Sequence, residues 1–288
     1  MQLIRIVALA SVLCMSVLAG WRPAQAETTF TISSWAPPNH PLTKDVVFAW
    51  GASVEKASQG RIKFQILPKH PSAPPGTIDA VRDGLVDVSF ITAGYLPARF
   101  ELSLLPELPG GGKNAVINSV AYSRIHFRYF EKADEYKGVK LLAVFTHGPG
   151  QMFNTKKPIA SVADLQGLKF RVGGGMAEKM ARALGASAFV KPSTESYELL
   201  SSGVADGIFF PLESVPAFKL ETIVKHATLF PGGFYGSSFG FFMNEDKFKK
   251  LAKADQEVVL AESGEKLARI AGEMWDASDR RGLEIIKK

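Results

Sequence analysis

The sequence predicts an α/β protein built as two similar lobes. Apolar, strand-like runs alternate with helical patterns along most of the chain, the arrangement that gives partly parallel sheets. One junction also occurs twice: DAVRDGLVDVSF, Asp79 to Phe90, aligns with ELLSSGVADGIF, Glu198 to Phe209. Each ends a helix at a glycine, Gly84 or Gly203, where a positive φ is wanted, and enters a strand through Asp87 or Asp206. Facing α/β lobes point strand ends and helix N-termini into the cleft between them, which is where such sheets bind ligands.

Residues 1–26 read as a signal peptide: a charged start with Arg5, an apolar run from Ile6 to Gly20, and Ala24-Gln25-Ala26 as the cleavage site. The run is shorter than the roughly 20 residues of a spanning helix. Cys14 follows Leu13, where a lipoprotein signal wants a small residue, so a lipid anchor is not expected. The mature chain is expected to begin at Glu27 and to work in the periplasm. From there the pattern gives a strand at Thr29 to Trp35, a helix at Leu42 to Ala57 stopped by Gly60, and a strand at Ile62 to Leu67. The Pro-rich turn KHPSAPPG leads to a helix at Thr77 to Asp83 and a strand at Val86 to Ile91. A longer helix follows at Ala115 to Ala133, then a strand at Val139 to Phe145. The order then recurs: strand Leu168 to Val172, helices Met176 to Leu184 and Ser193 to Ser201, strand Gly207 to Phe210. From Asp246 on the chain is helical, and Leu267, Ile270, Ala271 and Met274 form an apolar stripe for core or lobe bridging. It stops at GLEIIKK without a closing strand or cap, which reads as an incomplete C-terminus.

Composition excludes several function classes. Without the leader the chain has no cysteine, so it needs neither disulfides nor thiolate metal sites. Loss of Arg5 and Arg22 takes the formal charge from +6 to +4, too small and too dispersed for nucleic acid. No two of the five histidines lie within one helical turn, so no metal site is expected. GSSFG, Gly236 to Gly240, matches a nucleophile elbow with Ser238 as the nucleophile. A hydrolase would need a helix after Ser238 and a histidine downstream; the strand-like FFMN follows, and every histidine precedes it. Gly173 and Gly175 begin a dinucleotide fingerprint, but Glu178 stands at its third glycine and would repel a pyrophosphate. No cofactor is expected.

What remains is DLQGLKFRVGGG, Asp164 to Gly175, where Arg171 ends an apolar run just before three glycines and a helix. A guanidinium is a planar fork that takes a carboxylate by two parallel hydrogen bonds. Arg171 could instead form a structural salt bridge, with Asp164 as a candidate partner. Gly174 and its neighbours favour the ligand, because without side chains they let it approach backbone N–H groups at a helix N-terminus.

The run DLQGLKFRVGGGMAEKMARALGA, with ELLSSGVADG and RDGLVDVSF, resembles the periplasmic solute-binding component of TRAP transporters over essentially the whole mature chain. The resemblance implies two α/β lobes joined by hinge strands and long bridging helices, with lobe 1 at 27–146, lobe 2 at 147–235, and a hinge strand and C-terminal helices at 236–288. It implies that Arg171 clamps the carboxylate of an organic acid and that the partner is a membrane permease, with no catalysis; a monomer is expected. Two departures narrow the ligand. Gln151 stands where sialate-binding relatives often carry a second arginine, and DGIFFP replaces the DGQENP of many members, placing Phe209 and Phe210 at the site. Strand alternation favours Phe210 as the cleft-facing ring. The expected ligand is therefore a monocarboxylate with an apolar or aromatic body. Phe234 and Tyr235 are expected to line the cleft from the second lobe, and Trp35, His40, Thr92 and Tyr95 from the first. His147 and Glu213 are candidates to bond a hydroxyl or keto oxygen, with Glu213 equally able to neutralise Arg171 or a hinge lysine. A carboxylate sensor would share this sequence.

Overall fold

The computed structural model describes residues 27–288; the leader, Cys14 and the proposed cleavage site lie outside the described residues. Ten strands run in order: β1 (Thr28–Ile32), β2 (Ile62–Ile66), β3 (Val88–Thr92), β4 (Val139–Thr146), β5 (Gln151–Asn154), β6 (Lys169–Val172), β7 (Ser187–Val190), β8 (Gly207–Phe210), β9 (His226–Thr228) and β10 (Ser238–Asn244). They form two five-stranded sheets, β2-β1-β3-β10-β4 and β7-β6-β8-β5-β9. In each, the fourth strand runs antiparallel to both neighbours. Helices cover both faces, so the inner strands β3, β8 and β10 are buried at every residue, and their sequences VSFIT, GIFF and SFGFFMN are continuous rather than alternating.

The two lobes repeat one another down to single hydrogen bonds. The Asp87 carboxylate accepts from the Thr31 amide at 2.8 Å, and that of Asp206 accepts from the Lys169 amide at 3.0 Å. Each aspartate also faces a lysine just beyond the antiparallel strand, Lys247 at 2.6 Å and Lys156 at 3.5 Å. Asn244 and Asn154 end those strands, and each side-chain oxygen accepts from the amides that follow it. The repeated helix–glycine–aspartate junction thus anchors β1 in one sheet and β6 in the other. Gly84 and Gly203 hold φ of +78° and +74° in open surroundings, as helix ends require.

The chain crosses between sheets twice, from β4 into β5 and from β9 into β10. The crossovers bond to one another through His147 N–H to Ser237 O (3.2 Å), Gly150 N–H to Tyr235 O (3.0 Å) and Phe234 N–H to Gly150 O (3.1 Å). A helix at Gly264–Ile286 packs on the helix at Ala115–Ile125, closely enough that a Cβ at Gly272 would sit 2.6 Å from Val116 Cα. Its last turns reach the second lobe, where Asp279 accepts from the Glu213 amide at 2.8 Å. No helix among the described residues is long and apolar enough to cross a membrane.

Several elements depart from the sequence expectation. β7 and β9 were not expected: SAFV and HAT are short, half-exposed edge strands with no apolar run to mark them. The expected helix at Leu42 to Ala57 opens with a π-helical turn, Leu42–Phe48. The one at Ala115 to Ala133 is α-helical only to Ile125, then π-helical through the aromatic HFRYF and 3₁₀ to Ala133. Ile270 is partly exposed rather than part of the buried stripe; the packed face runs through Leu267, Ala268, Ala271, Met274 and Trp275.

Asp87→Ala and Asp206→Ala should each destabilise the protein, by about 1–3 kcal/mol for a buried amide left without its acceptor. Urea unfolding should show the larger loss for Asp87, which is the more deeply buried; no loss at either position would refute the anchoring role.

Candidate functional site

Arg171 sits near the C-terminal end of β6, flanked by β7 and β8, and only 2% of it is exposed. Its Nε donates to the Lys191 carbonyl at 2.8 Å, and its guanidinium carbon lies 4.9 Å from the centre of the Phe210 ring. No ion pair among the described residues includes it. Asp164 is engaged elsewhere, accepting from Ser161 Oγ and the amides of Ala160 and Ser161 in a capping box. The charge is therefore fixed in a dry place without a counter-ion, and burial pulls its pKa down. The hydroxyls of Tyr95 and Tyr235 lie near enough to couple with it.

Around Arg171 the two lobes form a shared cavity. The first lobe contributes Trp35, His40, Thr92 and Tyr95; the second contributes Phe209, Phe210, Ser193 and Phe218. His147, Tyr235 and Phe239 come from the crossovers and β10, and Trp275 from the bridging helix. Aromatic rings make up the largest share of this lining. Arg171 is its only fixed positive charge, because burial pushes the neighbouring His40 and His147 down to about 4. Such a site takes one negative charge and a flat apolar body.

Four expected contacts lie elsewhere. Both ends of the Gln151 amide bond the Phe230 backbone, Nε2 to its carbonyl (3.2 Å) and Oε1 to its amide (2.6 Å), so the side chain extends the sheet instead of reaching ligand. Phe234 packs among Phe209, Phe230 and Tyr235 in the second lobe's core, with ring centres 4.7 to 5.1 Å apart. Glu213 stands behind His40: the Leu42 amide donates to His40 Nδ1, leaving Nε2–H to face Glu213 Oε1 at 3.1 Å. Gly174, at φ +81°, does not line the cavity; its backbone meets Gly94 of the first lobe, and Gly173 lines the cavity instead.

The glycine triplet thus serves lobe contact more than ligand contact. A Cβ at Gly94 would lie 2.8 Å from the Gly173 carbonyl. The helix N-terminus at Gly175–Ala183 is already occupied by the protein: a carboxyl oxygen of Glu107, from the first lobe, accepts from the Met176 amide at 3.0 Å. The same carboxyl accepts from the amide (3.0 Å) and hydroxyl (2.9 Å) of Ser238. Ser238 therefore opens a buried strand and bonds a carboxyl, with no histidine among its partners, which does not fit a nucleophile elbow. The Tyr95 hydroxyl also joins the lobes, accepting from the Ser193 amide at 2.9 Å. Phe218, Phe239 and Trp275 were missed as lining residues because in sequence they look like ordinary core aromatics.

Two similar α/β lobes, two bonded crossovers and a charged cavity at the lobe interface define a solute-binding protein. The chain belongs to the bacterial extracellular solute-binding protein family 7, whose model matches residues 32–288. Among solved structures it is similar to a TRAP periplasmic solute-binding protein from Bordetella bronchiseptica with bound (R)- and (S)-mandelate. That match has a TM-score of 0.89 at 47% identity and covers 90% of this chain and 82% of that one. It is also similar to a marine metagenome TRAP solute-binding protein specific for aromatic acid ligands, in complex with 3-hydroxybenzoate (TM-score 0.84, 33% identity, 91% and 82% covered). A third, from Rhodoferax ferrireducens with copurified benzoate, has a TM-score of 0.85 at 28% identity, with 90% and 82% covered. The chain is thus a solute-binding protein of the TRAP type.

Gly94→Val should leave the protein folded but weaken ligand binding at least about tenfold by calorimetry, since the added side chain meets backbone of the other lobe. Unchanged affinity would mean that the lobe contact plays no part in capture. A second expectation concerns pH. Burial pushes Glu107 and Glu213 up to about 7 and Asp279 up to about 8. Each binds its proton more tightly folded than unfolded, so stability is greatest below the unfolded carboxyl range and falls as pH rises through 7 to 8. His40, His70, His126 and His147, lowered to about 4, act in the opposite direction, but their contribution is complete above pH 6.5. Between pH 6.5 and 8 unfolding free energy should therefore drop, by on the order of 1 kcal/mol per carboxyl, and Glu213→Gln should flatten that slope. A slope unchanged by the substitution would show that Glu213 does not titrate in this range.

Proposed function

We propose that this protein captures an aromatic monocarboxylate in the periplasm and delivers it, as a monomer and without chemical change, to a TRAP membrane permease. The observation that carries the reading is the guanidinium of Arg171, buried and without a carboxylate partner, inside a cavity walled by aromatic rings. An uncompensated buried charge is costly, and an entering carboxylate relieves that cost by pairing with it. The Nη nitrogens offer a bidentate fork, and the Tyr95 and Tyr235 hydroxyls stand beside it as further donors. Phe210 and Phe218, stacked with centres 5.4 Å apart, and Trp35 supply flat apolar walls for a ring. A second carboxylate would find no second fixed cation in the lining, which disfavours dicarboxylates. The aromatic acids bound by the three related structures support the same ligand class.

A thermal-shift screen of the mature chain should show stabilisation by benzoate, phenylacetate or mandelate and none by succinate, malate or hexuronates. A ligand present at about 100 times its Kd adds about 2.7 kcal/mol. Arg171→Ala should cost about 2–5 kcal/mol of binding, mostly as faster dissociation, and Arg171→Lys should recover only part of it. Stabilisation by dicarboxylates or sugar acids alone would overturn the proposal.

A further inference from the structure

His147 begins the first crossover, directly after β4, and its ring lines the ligand cavity. Its Nδ1 lies within hydrogen-bond distance of the Gly148 carbonyl. A carbonyl oxygen only accepts, so Nδ1 carries the hydrogen. Burial keeps the ring neutral above a pH of about 4, and Nε2 is then a bare acceptor. That nitrogen is buried and has no hydrogen-bond partner among the described residues. The rings packed around the imidazole, Tyr235, Phe239 and Trp275, with centres at 5.3, 6.3 and 6.4 Å, hold it in place without satisfying Nε2. The hydroxyls of the wall, on Thr92, Tyr95, Ser193, Ser214, Tyr235 and Ser237, can donate as well as accept, whereas His147 Nε2 only accepts and is satisfied only if the ligand brings a donor.

We propose that His147 Nε2 accepts a hydrogen bond from a hydroxyl of the bound acid, so that the site selects hydroxylated aromatic acids over their unhydroxylated counterparts. The inference rests on the aromatic monocarboxylate reading above and adds the second polar contact that this reading leaves open. The carboxylate is held at Arg171 and the hydroxyl at His147, with the aromatic ring between the walls of the two lobes. An acid without the hydroxyl would leave Nε2 buried and unsatisfied, a cost that appears directly as discrimination. A methyl ether at the same carbon would be rejected as well, since it has oxygen but no donor.

The test is calorimetric titration of the mature protein with mandelate, phenylacetate and α-methoxyphenylacetate. Mandelate should bind about tenfold or more tightly than either of the others. In His147→Phe, which keeps the ring and removes the acceptor, the ratio of mandelate to phenylacetate affinity should fall towards one. Should that variant fail to fold, ¹⁵N NMR of the unmodified protein gives an independent readout. The His147 Nε2 resonance should be that of an unprotonated imidazole nitrogen and should move on adding mandelate, but not phenylacetate. Equal binding of mandelate and phenylacetate, or a preference that survives His147→Phe, overturns this inference and leaves the aromatic-acid reading standing. Binding of none of the three acids overturns both.

Discussion

The structure depends on keeping one positive charge dry and without a partner. Arg171 is among the most deeply buried large side chains of the protein, yet what holds it is a carbonyl and a ring face, neither of which neutralises it. A surface arginine would bind an acid weakly, because water screens the pair. In a cavity walled by aromatic rings the same pair is far stronger, because the local dielectric is low. Keeping such a charge buried requires a stiff frame, and the parallel strands β6, β7 and β8 with helices on both faces provide it.

The second constraint concerns how the lobes are joined. The lobes meet through few and specific contacts: Gly94 against Gly173 and Gly174, Glu107 at the Met176 amide, Tyr95 at the Ser193 amide, and His40 facing Glu213. Apolar contact between the lobes is limited, with Met176 against the first lobe's cluster and the His40 ring edge-on to Phe218. Large apolar clusters lie within each lobe instead, so separating the lobes exposes little core while unfolding either exposes much. The bonded crossovers hold the lobes side by side, and the helix at Gly264–Ile286 touches both. Polar contacts between lobes suit a receptor that has to release its cargo, because water can replace them when the lobes part.

Much of this was readable in the residues. The repeated junction around Gly84 and Gly203 announced two like lobes, and the matching bonds of Asp87 and Asp206 give the physical reason for the repeat. Arg171 stood out because a lone guanidinium before three glycines is an unusual end to a buried strand. The aromatic replacements at Phe209 and Phe210 pointed away from a doubly charged ligand. Less legible were β7 and β9, whose short half-exposed sequences carry no periodic signal, and the cavity roles of Phe218, Phe239 and Trp275, each of which lines the site only because distant segments meet there.

The glycines show where local reading stops. In sequence, Gly173 to Gly175 before a helix describes an anion site, but the group at that helix is the Glu107 carboxyl, brought from the other lobe. Gln151 likewise has the polarity of a ligand contact and spends both ends of its amide on the Phe230 backbone. The sequence by itself determined the class of elements, the repeat and the identity of the charged group, since these follow from periodicity and side-chain chemistry over neighbouring residues. Only the tertiary structure decided which polar groups are already satisfied, because partners such as Glu107 for Met176 or Glu213 for His40 are brought together by folding across long stretches of chain.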